Sequence, residues 1–162
     1  MKLQLGCGHK PLPPEEGWVN HDIARHSPHV DVAFDLRILP WPLDEKKQLF
    51  SEIRAVDVFE HIPVDLGIAF FDECWRLLEP DGILFLRVPE FGSRYHLGDL
   101  THVRGFRSYS FDLLDPSTST GKNNFYTDKR WKILQKSCPA PTETLATGRN
   151  LEFVFRKILE KS

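Results

Sequence analysis

Three groups of residues in this sequence have the types and spacing to do chemistry. Gly6-Cys7-Gly8 brackets one residue with two glycines directly after the apolar run that ends at Leu5. Glycine takes positive φ readily and lets a ligand approach the backbone closely. Asp22 stands near the end of a β-like run, where a carboxylate can accept hydrogen bonds from ligand hydroxyls, and Asp35 and Asp57 stand near the ends of two others. His61 and His102 have the side chain whose ordinary pKa lies near neutrality, so either could act as a general base. Arg104 could clamp an anion, and Tyr95 and Tyr126 could line a substrate wall. Each also has a plainer reading. An Asp at a strand end is commonly a turn or cap residue, Glu60 and His61 could cap the next helix, and residues 99–104 could be a solvated loop.

These residues need a scaffold, and the hydrophobic pattern supplies one. A strand stopping at a G-x-G turn is how an open α/β sheet makes a crevice at the carboxyl ends of its strands. Further strands are expected over residues 18–23, 30–36, 53–59, 83–88, 131–136 and 151–159. Val64, Ile68, Phe71, Trp75 and Leu78 recur at helical spacing and predict a helix that Pro80-Asp81-Gly82 stops. Strand, helix and strand over residues 53–88 form a βαβ unit, which favours a parallel pair. Shorter helical pieces are expected around 45–50 and 108–114. Pro11, Pro13 and Pro14 remove backbone donors where a first helix would begin. They count against a pyrophosphate cradle, which needs free N–H groups at a helix start.

The 162 residues suit one domain spanning 1–162, with 41% hydrophobic and 27% charged residues. Net charge is −2, acidic over the first hundred residues and basic over the remainder. Three widely spaced cysteines argue against a disulfide framework. No apolar run approaches the roughly 20 residues that span a bilayer, and the amino terminus has no signal-peptide pattern. A cytoplasmic protein without a membrane segment is expected. His26 and His29 have H-x-x-H spacing in a non-helical stretch, and no metal is expected. Residues 122–136 are basic and aromatic, but a solvated strand surface or a clamp for a small anion is expected there rather than nucleic acid.

Leu5-Gly6-Cys7-Gly8, then Asp22, Asp35-Leu36, Asp57-Val58-Phe59-Glu60-His61-Ile62 and LLEPDGILFLRVPE over residues 77–90 follow a known order. Over roughly residues 2–114 the chain resembles the class I S-adenosylmethionine-dependent methyltransferases, most nearly their small "type 11" group. The resemblance implies a doubly wound, Rossmann-like α/β fold. Its sheet would have seven mostly parallel strands, a C-terminal antiparallel hairpin and, in this chain, a shortened first helix. It implies S-adenosylmethionine as cofactor, held by Leu5, Gly6, Cys7 and Gly8, by Asp22 and Ile23 at the ribose, by Asp35 and Leu36 at the adenine, and by Asp57 and Phe59. Gln4 stands where the family often has an acid, and Lys10 where it often has a third glycine. The activity implied is methyl transfer to a small-molecule acceptor, with oxygen favoured and a sugar or other metabolite as its source. Under that reading His102 and His61 are the catalytic candidates, and Tyr95, Arg104 and Tyr126 bind substrate. A cofactor-binding or partner-binding module without transferase activity is the alternative.

Overall fold

The computed structural model describes residues 1–137 and 149–159. Seven strands form one sheet: β1 (Lys2–Leu5), β2 (Trp18–Asp22), β3 (Val32–Ala33), β4 (Phe50–Val56), β5 (Leu78–Pro89), β6 (Arg130–Ser137) and β7 (Asn150–Ile158). Their order is β3-β2-β1-β4-β5-β7-β6. The first five run parallel, and β7 is antiparallel to both β5 and β6. The order reverses beside β1, where β2 lies on one side and β4 on the other. A crevice therefore opens at the carboxyl ends of those strands. The linker expected between the last two strands falls mostly on 138–148, outside the described residues.

Helix α1 (Gly67–Leu77) is the long helix among the described residues; α2 (Arg94–Leu97) is a single turn. The β1–β2 connection holds only a 3₁₀ turn over Pro14–Glu16. Gln4 and Asn20 hold this proline loop by bonds to Lys10 and Leu12.

Several local expectations are corrected. The buried face of α1 is Gly67, Phe70, Phe71, Cys74 and Leu77, rotated from the expected stripe, while Val64 is exposed. The helix stops at Leu77, before Pro80, because Leu78 is drawn into the sheet opposite Phe50. Residues 45–50 form a turn capped by Asp44 rather than a helix, and Phe50 already opens β4. β3 shrinks to two residues because the Asp31 carboxylate takes the Asn20 amide that a longer ladder would use. Near 108–114 turns lead into a 3₁₀ helix of three residues, Asp112–Leu114, rather than a longer helix.

Candidate functional site

β1 delivers the glycine turn. Gly6 and Gly8 both take left-handed backbone, at φ 61° and 52°. A Cβ on Gly6 would lie 2.4 Å from Val58 Cγ2, so Val58, two residues past the end of β4, packs where any side chain on Gly6 would go. The turn's amides are already used. Gly6 N donates to His21 Nδ1 at 3.3 Å, Cys7 N to the His21 carbonyl at 2.8 Å, and Gly8 N to Asp22 Oδ2 at 2.7 Å. No helix follows the turn, so a phosphate would find neither free donors nor a helix start there.

β2 delivers Asp22. Its Oδ1 accepts the Ile23 amide at 2.7 Å, and His26 Nε2 lies 3.5 Å from Oδ2. Burial opposes its ionisation, but the Gly8 and Ile23 amides and His26 outweigh that and hold its carboxyl below the usual range. The stretch after β3 delivers Asp35, whose carboxylate takes a bidentate grip from Arg37 at 2.7–3.0 Å. Trp41 fixes this stretch by donating Nε1–H to the Leu36 carbonyl and its amide to Glu73 on α1. β4 delivers Asp57, which turns the chain at φ 56° and pairs with Arg87 of β5.

These elements enclose a cavity of 580 Å³ lined by Gly6, Gly8, Asp22, Ile23, Asp35, Leu36 and Asp57, together with His21, Phe34, Arg37 and Val58. Its size lies within the roughly 300–1,000 Å³ of small-molecule sites. On its far side stand His61, Ile62, Thr101 and Val103. Asp57 and His61 also line a neighbouring cavity of 390 Å³, bounded by Glu60, Arg94, Tyr95, Asp99 and His102.

The wall shared by the two cavities is polar. His102 Nδ1 donates to the His96 carbonyl at 3.1 Å, which turns Nε2 toward the shared wall. That Nε2 is 3.9 Å from Glu60 Oε1 and 3.8 Å from Asp99 Oδ2. Thr101 Oγ1 donates to Asp99 Oδ1 at 2.6 Å, so it accepts from His61 Nδ1 at 2.9 Å, and His61 also keeps a bare Nε2. Burial, reinforced by His102, pushes the His61 imidazole below its usual range. Glu60 is 1% exposed, and burial pushes its carboxyl up to about 8.

Other residues singled out from the sequence lie elsewhere. Phe59 is not at the cavity; it is buried among Phe70, Phe71, Phe106 and Phe111, because β4 ends at Val56 and the next turn carries the ring into the core. Leu5 and Cys7 are buried behind the turn, and their side chains do not line the cavity. The Arg104 guanidinium donates to the Ile62 and Pro63 carbonyls at 2.8 and 2.7 Å and stacks on Phe59, against Gly67, so it braces the fold. Tyr126 is exposed and lies outside both cavities, whereas Tyr95 lines the second one. His26 turns to Asp22 rather than to His29.

Sequence reasoning missed His21, Val58, Arg37 and Thr101, and gave Glu60 a capping role. His21 had a visible signal, since its neighbours Asn20 and Asp22 alternate with it along a strand. Thr101 and Glu60 had none, because the loop after β5 meets the turn at 59–61 only across the fold.

Sheet order, hairpin and crevice together are those of the class I S-adenosylmethionine-dependent methyltransferases, and this chain has their fold. A SAM-dependent methyltransferase from Archaeoglobus fulgidus is 12% identical with a TM-score of 0.62, over 96% of this chain and 85% of the other. The N-methyltransferase NodS from Bradyrhizobium japonicum WM9 is 15% identical with a TM-score of 0.63, over 98% and 85%. Phosphoethanolamine N-methyltransferase 1 from Haemonchus contortus, solved with phosphoethanolamine and S-adenosylhomocysteine, is 18% identical with a TM-score of 0.65; this chain is covered over 97% and spans 38% of it. No protein-family model and no curated protein sequence matches this chain. Among the described residues, no helix is long and apolar enough to cross a membrane.

Proposed function

We propose that this protein transfers a methyl group from S-adenosylmethionine to an oxygen atom of a small polar acceptor. The observation that carries the reading is the shared wall: His61 and Asp57 face both the 580 Å³ cavity and the 390 Å³ cavity. A donor in the first and an acceptor in the second would meet there.

The residues of the first cavity fit the cofactor. Asp22 keeps lone pairs free beyond its two amide bonds and can accept from both ribose hydroxyls. Asp35 can accept from the adenine amine beside the apolar side chain of Leu36. Gly6 has no room for a side chain, and Gly8 leaves open space for the methionine end. The occupied turn amides favour a ligand without phosphates. Bound there, S-adenosylmethionine supplies a methyl group already activated by the sulfonium charge.

The protein's own task is then orientation, which can supply a large part of the rate. Phe34, Val58 and Ile62 give the donor side an apolar lining. Arg94 and Tyr95 stand where an acceptor would be oriented. An amine in its neutral form attacks without help, whereas an aliphatic hydroxyl must lose a proton. Glu60, His61 and His102 at the shared wall form a group able to activate such a hydroxyl, which supports oxygen as the acceptor atom.

The test is turnover with methyl-labelled S-adenosylmethionine against a panel of small hydroxylated metabolites. Label appearing in a small-molecule product, with one S-adenosylhomocysteine formed per methyl, is the expected result. Cofactor binding with no product across oxygen and nitrogen acceptors would reduce the protein to a binding module.

A further inference from the structure

We propose that Glu60, His61 and His102 form a binding site for a divalent transition-metal ion, of the Zn2+, Co2+ or Mn2+ kind, in the wall between the two cavities. One carboxylate oxygen of Glu60 and one ring nitrogen of each histidine lie within 4.8 Å of one another. Ligand atoms held at about 2.0–2.2 Å from one Zn2+ sit roughly 3–4 Å apart, so side-chain rotations of about an ångström close the set.

Three observations favour an ion over a plain polar cluster. Both imidazoles are held in the tautomer a metal needs: His102 Nδ1 donates to the His96 carbonyl and His61 Nδ1 to Thr101, which in turn donates to Asp99. Such outer contacts orient metal-binding histidines and present Nε2 to the ion. Next, Glu60 is 1% exposed, and its Oε2 has no hydrogen-bond partner among the described residues. A buried carboxylate in that condition is costly unless a cation or donor meets it. Last, the ligands are pinned to each other through the backbone. Glu60 and His61 share a 3₁₀ turn, and the Val103 amide donates to the Glu60 carbonyl at 2.9 Å, which brings His102 against them.

Two imidazoles and one carboxylate suit first-row transition metals better than Mg2+ or Ca2+, and they leave coordination positions open. Resting on the methyl-transfer reading above, the ion narrows the acceptor to molecules with a hydroxyl that can reach those open positions. Coordination lowers the pKa of such a hydroxyl, and its proton passes to solvent. The C–O bond then forms as the C–S bond breaks, and the electron pair of that bond stays on sulfur.

The test uses the full chain, stripped with chelator and titrated with Co2+ under calorimetry and visible absorption. One Co2+ per chain is expected, with d–d bands of a nitrogen- and oxygen-ligated ion. His61→Ala and His102→Ala should each weaken it at least tenfold, and His29→Ala should not. Thr101→Val, which removes the hydroxyl that links His61 to Asp99 and no proposed ligand, should weaken it by about tenfold and covers the case in which a histidine variant fails to fold. Absence of stoichiometric Co2+ on the wild-type chain, or affinity indifferent to Thr101→Val and to the folded histidine variants, would overturn the site. S-adenosylhomocysteine is titrated in parallel. Co2+ binding without it supports the ion site and removes the methyl-donor reading; the reverse removes the ion site alone.

Discussion

The Gly6 amide donates to His21 Nδ1 at 3.3 Å, while His21 Nε2 donates to the Phe34 carbonyl at 2.9 Å. The glycine turn therefore leans on a neutral imidazole, because a proton on Nδ1 would face the Gly6 N–H. Burial lowers the pKa of His21 below its ordinary value. The unfolded chain then binds more protons than the folded one between the lowered pKa and about 6.5. Stability contributed by His21 is complete above that window and falls as pH drops through it, by at most about 1.4 kcal/mol per pH unit. Glu60, raised to about 8, contributes the opposite slope over the same range, so the measure is the difference between wild type and His21→Gln in thermal melts from pH 7.5 to 5, which should carry the His21 slope.

Gly6 and Gly8 should respond differently to alanine. Gly6→Ala places a Cβ 2.4 Å from Val58 Cγ2 at positive φ, so overpacking adds to backbone strain. A loss of about 2–4 kcal/mol is expected. Gly8→Ala meets nothing within 4 Å and incurs only the strain, about 1–2 kcal/mol. Denaturant unfolding of the two variants compares them, and Gly6→Ala,Val58→Ala should recover part of the larger loss.

Asp22 links the turn to any hydroxylated ligand in the crevice. Asp22→Asn keeps the shape but reverses one donor–acceptor pair against the Gly8 amide. Hydrogen bonds to charged groups contribute about 1.5–3 kcal/mol, so S-adenosylhomocysteine affinity should fall roughly ten- to a hundredfold by calorimetry.

Phe59 separates core from site. Phe59→Leu should lower the melting temperature, in line with losses of about 1–3 kcal/mol for reshaped aromatic cores. The ligand affinity of the folded protein should stay unchanged. A large affinity loss with little destabilisation would put the ring back at the cavity.

Much of this architecture is legible in the sequence. β1 running into Gly6, the β2 end at Asp22 and the final strand pair follow from apolar runs and glycine placement alone. What was not legible has local causes. Aromatic residues crowd α1 so densely that several stripes look apolar, and the face that packs is chosen by the sheet. Asp57 takes left-handed backbone, which ends β4 early and swings Phe59 inward. Glu60 reads as a helix cap from its neighbours. Only the return of the loop after β5, through the Val103–Glu60 backbone bond, reveals it as a buried carboxyl facing two histidines.

The crevice beside Gly6 and Asp22 is built for S-adenosylmethionine rather than a phosphate-bearing nucleotide. Calorimetric titration of the full chain with S-adenosylhomocysteine, and separately with NAD, tests it most directly. One S-adenosylhomocysteine per chain, with no heat from NAD at the same concentrations, is expected. No binding of S-adenosylhomocysteine at millimolar concentration, or binding of NAD in its place, would contradict it.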